Sequence, residues 1–239
     1  MILTDIHCHI LPNVDDGASD ARETMAMLKK AYRDGVRRVI VTPHYRRGMF
    51  ETEQERIQSL YLQVKRRAAR IGSDGIELYL GCEYHRYSGM SKDLKRGLRP
   101  TLAGSKYVLV EFSGLDSYSK IRAIIYELTN AGYIPVVAHV ERYPVLAEHM
   151  ENVRDMIELG AKVQINAGAL LGKQGRRVKR FCKKLMKEQM VHFIGSDSHD
   201  LTVRPLLLRE CADYVMKKWG KETARRIFVD NPSKIIGKR

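Results

Sequence analysis

The sequence predicts a parallel α/β barrel, and three observations carry that expectation. Seven short apolar runs recur along the chain, each leads to a polar residue able to hold a metal ion, and the stretches between them are mostly patterned as amphipathic helices. Strands alternating with helices form βαβ units and a parallel sheet, which right-handed crossovers can close or leave open. Closure is expected here because polar groups follow every strand. An open sheet gathers its site at one switch point, whereas a barrel collects groups from many strand ends at one face.

The first run, residues 2–6, gives way to His7 and His9. Alternate residues of a strand point the same way, so both imidazoles can reach one ion while Cys8 faces away. Asp15, Asp16 and Gly17 form a turn. Ser19 or Asp20 can cap a helix with Ala21, Met25, Leu28 and Tyr32 on its apolar face, and Gly35 stops it. The second run, 36–41, passes through Thr42-Pro43 to His44. Thr52 and Glu55 have the offset of a capping box, opening a helix with Ile57, Leu60, Tyr61 and Val64 on one side.

Run 76–80 leads to Glu83. Residues 86–105 carry no clear strand and are expected to hold a short helix and loops. Run 107–110 leads to Glu111, and a helix follows with Ile121, Ile124, Ile125 and Leu128 as its stripe, ended by Gly132. Run 134–138 leads to His139, and the next helix shows Val153, Met156 and Ile157 before Gly160. Run 161–165 leads to Asn166. Run 191–194 leads to Asp197 and His199, repeating the alternate spacing of the first strand. Pro205 is placed to start a late helix, where proline is tolerated, and Asn231-Pro232 to end the last one.

Bulk properties narrow the class. A chain of 239 residues with 44% hydrophobic content fits one barrel-sized globular domain, 1–239. No apolar run approaches membrane-spanning length, and the first residues lack the basic and apolar regions of a signal peptide. A cytoplasmic protein is expected, without membrane insertion. Cys8, Cys82, Cys182 and Cys211 are scattered, with no CxxC pair or disulfide spacing. The net charge is +14, and basic residues crowd residues 175–187, where Val178, Phe181, Cys182 and Leu185 recur at helical spacing. That segment reads first as an amphipathic helix with a solvated cationic face, and second as an attractor of anionic partners.

Each polar residue has an ordinary structural explanation taken singly: a turn for Asp-Asp-Gly, an ion pair for Glu83 or Glu111, a satisfied core histidine for His139. Together they require many polar intrusions at the same end of successive strands. A shared cation field accounts for all of them, because it relieves repulsion among carboxylates and holds imidazoles neutral as ligands. The donors are nitrogen and oxygen only, which suits Mn, Fe or Zn rather than Cu(I). They outnumber the ligands of one tetrahedral ion, so two or three ions are expected.

Several strings are more specific. Asp5-Ile6-His7-Cys8-His9-Ile10-Leu11-Pro12 with Val14-Asp15-Asp16-Gly17, Arg47-Gly48-Met49-Phe50-Glu51-Thr52, Ala138-His139-Val140-Glu141-Arg142-Tyr143, Ser196-Asp197-Ser198-His199 with Arg204-Pro205, and Phe228-Val229-Asp230-Asn231-Pro232 run through essentially the whole chain. They resemble the polymerase-and-histidinol-phosphatase (PHP) metal-dependent phosphoesterases. More narrowly, they are similar to the bacterial manganese-dependent protein tyrosine phosphatases of capsule and exopolysaccharide loci. The resemblance implies a distorted TIM-like (β/α)7 barrel of the PHP type and a trinuclear manganese site. One ion would take His7, His9, Glu83 and Asp197; a second would share Glu83 and add Glu111 and His139; a third would take Asp16, His44 and His199. Asp15 competes with Asp16 on residue type alone. His85, beside Glu83, reads as a surface histidine or an outer group of the site.

The resemblance also implies a phosphotyrosine protein as substrate, in particular a bacterial tyrosine kinase, and phosphate contacts for Arg142 and Arg204. Arg46 and Arg47 are candidates for attracting substrate. A guanidinium can fork onto two phosphoryl oxygens. Phenolate, with a pKa of about 10, leaves with little help, so no general acid is assigned. A cysteine phosphatase needs an arginine six positions after its thiolate; Val14, Ser88, Glu188 and Lys217 stand there instead. The competing expectations are a phosphoesterase acting on a small phosphate such as histidinol phosphate or a nucleotide, and a basic nucleic-acid-binding module, for which no reading motif is present. Oligomeric state is not legible.

Overall fold

The pairings between strands are all parallel, and they wind round into a curled sheet. The computed structural model describes residues 1–237, so the last two positions of the expected 1–239 unit lie outside the described residues. The strands are β1 (Leu3–Cys8), β2 (Val36–Val41), β3 (His44–Tyr45), β4 (Glu77–Leu80), β5 (Glu83–His85), β6 (Tyr107–Glu111), β7 (Ile134–Val137), β8 (Lys162–Asn166) and β9 (Phe193–Gly195). One sheet has the order β1-β2-β4 and the other β3-β5-β6-β7-β8-β9.

Two of the seven apolar runs are therefore followed by a second short strand. Pro43 has no N–H to give a ladder, and β2 stops before it and resumes as β3. Gly81 and Cys82 likewise separate β4 from β5. The breaks do not open the sheet: Gly81 N–H donates to the Val41 carbonyl (2.8 Å) and Glu83 N–H to the Pro43 carbonyl (3.1 Å). At the seam, Asp197 N–H donates to the His7 carbonyl and His9 N–H to the Ser198 carbonyl, both at 2.9 Å, joining the ends of the first and last strands.

Helices pack around this sheet: α1 (Ala21–Arg33), α2 (Gln54–Ala68), α3 (Met90–Lys95), α4 (Tyr118–Asn130), α5 (Pro144–Ala147), α6 (Met150–Glu158), α7 (Ala167–Leu171), α8 (Arg176–Lys187), α9 (Leu208–Trp219), α10 (Lys221–Arg225) and α11 (Asn231–Ile235). Their buried faces join the outward strand residues in the main core. Ile6, Ile40, Leu102, Leu109, Val136, Ala138, Phe193 and Ile235 form a second, smaller cluster. The short helix and loops expected over 86–105 appear as α3 and a 3-10 turn at Leu102–Gly104.

Several local expectations are corrected. Asp20, not Ser19, caps α1, accepting from the Arg22 and Glu23 N–H groups. The buried face of that helix is Thr24, Met27, Leu28 and Ala31, because the Thr24 hydroxyl is drawn inward to donate to the Ile10 carbonyl (2.8 Å). The capping box at Thr52 does not form; its hydroxyl donates to the Val14 carbonyl (2.9 Å), tying the loop before α2 to the loop after β1. Pro205 lies ahead of the late helix, which starts at Leu208. Asn231-Pro232 opens the last helix rather than ending it, with proline in the first turn where its missing donor costs nothing.

Gly195 lies against the first strand: a Cβ there would stand 2.7 Å from the His7 Cβ and 3.2 Å from the Gln164 Nε2. Gly195→Ala is expected to cost about 1–3 kcal/mol through overpacking and to lower the thermal midpoint by several degrees. An unchanged melting curve would show that β9 does not press on His7 as described.

Candidate metal centre

The histidine and carboxylate candidates from the strand ends converge on one locus, buried except toward the exposed Asp16, while Asn166 serves as a donor to Asp197 rather than as a ligand. His7 and His9 leave β1 where its ladder with β2 is irregular between Asp5 and Cys8. Glu83 follows the β4–β5 break, Glu111 ends β6, and His139 and Asp197 follow β7 and β9. His139 (φ 31°) and Asp197 (φ 52°) both adopt left-handed backbone, an uncommon state for residues with a Cβ. Such strain persists where surrounding bonds over-determine it. The His139 N–H is held by Gln164 Oε1 and the Asp197 N–H by the His7 carbonyl, both at 2.9 Å.

Glu83 is the hub and is wholly buried. Its Oε2 lies 3.0 Å from His7 Nε2, 3.1 Å from His9 Nε2 and 3.3 Å from His44 Nδ1, and its Oε1 lies 2.9 Å from His139 Nε2. Asp197 Oδ1 lies 3.4 Å from His7 Nε2 and 3.6 Å from His9 Nε2. Asp16 Oδ1 lies 3.4 Å from His44 Nε2 and 3.3 Å from His199 Nε2. Three sets of ligand atoms each fall within 4.8 Å of one another: His7, His9, Glu83 and Asp197; His9, Asp16, His44 and His199; His44, Glu83 and Glu111. Ligands held about 2.1 Å from one ion stand about 3 Å apart, so these separations suit shared ions.

The partition differs in detail from the one the resemblance implies. His44 turns one ring nitrogen toward Asp16 and the other toward Glu83 and Glu111, and His9 borders two sets. His139 remains within reach of the Glu111 set, 3.7 Å from its Oε2.

Outer groups fix how the rings face. His7 Nδ1 donates to Gln164 Oε1 (3.2 Å) and His9 Nδ1 to Asp15 Oδ2 (2.9 Å), so each presents Nε2 inward. This separates the adjacent aspartates. Asp15 orients, accepting also from the His44 N–H (2.9 Å) and the Gly17 N–H (3.0 Å), while Asp16 faces the open ring nitrogens. His85, whose surface reading is corrected here, is half-buried with Nδ1 3.3 Å from Glu111 Oε1. Tyr143 OH is 3.1 Å from His139 Nδ1, and Phe50 stacks on His44 with ring centroids 5.2 Å apart. Gln164, Tyr143 and Phe50 escaped the sequence reading as site residues. Gln164 alone carried a signal, a polar side chain between Val163 and Ile165 in a strand run.

The residues fit a cation on chemical grounds. His7 and His9 point Nε2 atoms at each other across 3.1 Å with Glu83 beside both. The ring nitrogens His44 Nδ1 and His199 Nε2 are buried without a hydrogen-bond partner. Lone pairs crowded this way need positive charge among them, from protons or from metal ions. Without metal the charge falls on protons. Burial pulls His9 down, but the bonds to Asp15 and Glu83 overcome it and lift its pKa to about 10. Burial also pulls His199 down, to about 4, with the neighbouring His9 adding to the effect. Burial opposes ionisation of Glu83 and Asp197, yet His7, with His44 for Glu83 and Arg142 for Asp197, holds both well below the usual carboxylate range.

Arginine guards the mouth. Asp197 Oδ2 accepts from Arg142 Nη2 and from Asn166 Nδ2 (2.7 Å), and its Oδ1 from Arg204 Nη2 (3.0 Å). Both guanidiniums are about one-third exposed and line a cleft of about 490 Å³ with Asn166, Lys173 and Asp197. Arg46 is exposed after β3. Arg47 is held by Asp93 (2.9 Å) and lies over the Tyr87 ring (3.8 Å), which commits its guanidinium to that contact. All four cysteines are buried and unbridged.

The model of the family described as capsular polysaccharide synthesis, CpsB/CapC, matches residues 3–237. The chain belongs to the CpsB/CapC family. It is 36% identical over 239 residues to the tyrosine-protein phosphatase CpsB of Streptococcus pneumoniae, covering 98% of each chain. It is 33% identical over 222 residues to the tyrosine-protein phosphatase YwqE of Bacillus subtilis, covering 92% of this chain and 86% of that one. Among solved structures, a chain described with YwqE and CpsB as metal-dependent tyrosine phosphatases superposes with a TM-score of 0.90 at 30% identity, covering 99% of this chain and 96% of its own. As a family member the chain shares an α/β fold with a curled parallel sheet, consistent with the TIM-like class. Among the described residues no helix is long and apolar enough to cross a membrane.

Because His7 and His9 are shifted upward and only neutral imidazoles ligate, metal must displace protons. Adding manganese to metal-free protein near neutral pH is expected to release protons, with affinity falling roughly tenfold for each unit the pH is lowered, per proton displaced. Calorimetry in two buffers of different ionisation heat measures this. A buffer-independent heat would mean that the rings are already neutral.

Proposed function

We propose that this chain is a cytoplasmic metal-dependent protein tyrosine phosphatase. It acts on phosphotyrosine of a bacterial tyrosine kinase and so regulates capsular or exopolysaccharide synthesis. The observation that carries the reading is the convergence of nine nitrogen and oxygen donors (His7, His9, Asp16, His44, Glu83, Glu111, His139, Asp197 and His199) beside two partly exposed arginines. Family membership and the names of the relatives support it. The same reading takes residues 1–239 as one metallophosphoesterase unit with a distorted (β/α)7 barrel, and the ions as two or three Mn2+, with Fe or Zn admitted by the same donors.

The three ligand sets would hold the ions: His7, His9, Glu83 and Asp197; His44, Glu83, Glu111 and His139; and Asp16, His44 and His199 with His9 at their edge. Bound divalent ions lower the pKa of water and offset phosphoryl charge. The chain's own groups do the rest. Arg142 and Arg204 bind the phosphoryl oxygens as charge develops, each exchanging part of its bond to Asp197 for the substrate. Arg46, exposed beside His44, draws the anion in; Arg47, already engaged by Asp93, contributes at most at long range. Phenolate leaves unprotonated, which is why the cleft needs no acid.

The cysteines offer no alternative nucleophile. Burial pushes the thiols of Cys8, Cys82, Cys182 and Cys211 upward, away from thiolate. Turnover of a phosphotyrosine peptide is therefore expected to vanish on chelation, to return with manganese, and to survive thiol alkylation. Loss on alkylation alone would overturn the metal mechanism, and faster turnover of histidinol phosphate or a nucleotide would overturn the substrate class. Arg142→Ala should lower kcat by roughly 10²–10³ while metal content stays constant. Wild-type turnover in that variant would remove the assigned role.

A further inference from the structure

The basic helix has no part in the chemistry above. α8 exposes Arg176, Arg177, Arg180, Lys183, Lys184 and Lys187 and buries Phe181, Cys182, Leu185 and Met186. Arg177, Arg180 and Lys184 recur at three- and four-residue intervals, which places them on one side of the helix. With Val178 and Phe181 they line a cleft of about 300 Å³ that residues 141–148 also border, Arg142, Pro144 and Ala147 among them. The lining combines apolar side chains with four cations and two carboxylates, Glu141, which is buried, and Glu148, so cations outnumber acids there. Glu148 holds Arg177, but among the described residues Arg180 and Lys184 carry no ion pair. Arg142 also lines the larger cleft with Asp197 and Arg204, so one residue borders both spaces.

We propose that this second cleft seats the polypeptide segment adjoining the phosphotyrosine and selects an acidic one. The inference rests on the phosphatase reading and adds a partner chemistry to it. A chain whose phosphoryl group is gripped by Arg142 and Arg204 has its neighbouring residues within reach of the cleft that Arg142 shares. Aliphatic stems pack on Pro144, Ala147 and Val178, while carboxylates, or further phosphates, meet Arg180 and Lys184. A membrane surface fits less well. Helices that lie on bilayers insert an apolar face, whereas the apolar face of α8 is already buried in the core. Single-stranded nucleic acid needs exposed rings for stacking, and Phe181, the ring in this cleft, is buried.

The test uses the metal-loaded full chain with three substrates: a phosphotyrosine peptide flanked by glutamates, the same peptide flanked by serines, and para-nitrophenyl phosphate. The double variant Arg180→Glu/Lys184→Glu is compared with Arg66→Glu/Arg67→Glu, which changes net charge equally on the exposed side of α2. For the first variant, kcat/KM on the acidic peptide is expected to fall about tenfold relative to para-nitrophenyl phosphate, through KM, and to show reduced salt dependence. The serine-flanked peptide and the α2 variant should show no such selective loss. Equal loss in both variants would reduce the effect to overall charge and overturn the docking site; so would no selective loss in either.

Fluorescence anisotropy of a labelled glutamate peptide lacking phosphotyrosine reads docking without turnover. Weaker binding to the Arg180→Glu/Lys184→Glu protein supports the site even if the wild type hydrolyses no phosphotyrosine, which would fault the phosphatase reading alone. Unchanged peptide binding, or loss confined to phosphatidylserine vesicles, would overturn it.

Discussion

The structure depends on a carboxylate that cannot stand alone. Glu83 is wholly buried, and an unpaired charge there would cost several kcal/mol. Imidazole nitrogens of His7, His9, His44 and His139 all lie within 3.3 Å of its oxygens. Those rings come from three other strands and their loops, so Glu83 is satisfied only when the curled sheet is correctly formed. Conversely, the ring nitrogens crowd one another and must themselves meet protons or cations. Fold and cation site are thus two statements of one electrostatic requirement.

The local irregularities follow from it. Proline after Thr42, Gly81 before Glu83, and left-handed backbone at His139 and Asp197 each interrupt regular structure at the same end of the sheet. A regular ladder would send successive side chains to alternate faces. The interruptions let consecutive strands deliver polar groups to one side. The outer groups then hold those side chains in place. Asp15 and Gln164 choose the ring nitrogen that His9 and His7 present, and Asn166, Arg142 and Arg204 share the lone pairs of Asp197. Two of these partners, the arginines, are exposed enough to trade that contact for a phosphoryl group, which links the stability of the centre to its proposed chemistry.

The parallel α/β character and the convergence of the ligand-bearing strand ends were legible because both are written in period and punctuation: apolar runs, then a donor. The choice between Asp15 and Asp16 was not. Both sit in one turn, and only the direction of the His9 and His44 rings distinguishes an orienting carboxylate from one that faces metal. His85 was misjudged because hydropathy does not reveal that Glu111 reaches back to it. Thr52, Pro205 and Pro232 show the same limit. Their local signals are real, but a capping threonine was taken by a carbonyl of another loop, and a proline suits a helix start in either of two places. Gln164 illustrates the opposite case, since a polar residue inside a buried strand marks a bond that the sequence cannot name.

The central claim is that Glu83 lets one chain gather more than one divalent ion. Elemental analysis of manganese-loaded wild-type protein and of Glu83→Gln, whose side chain is nearly the same shape but carries no charge, tests it most directly. The account predicts two or three ions per wild-type chain and a loss of at least one in the variant, with the far-ultraviolet spectrum unchanged. A wild type that holds no ion, or a variant that retains the full complement, would contradict it.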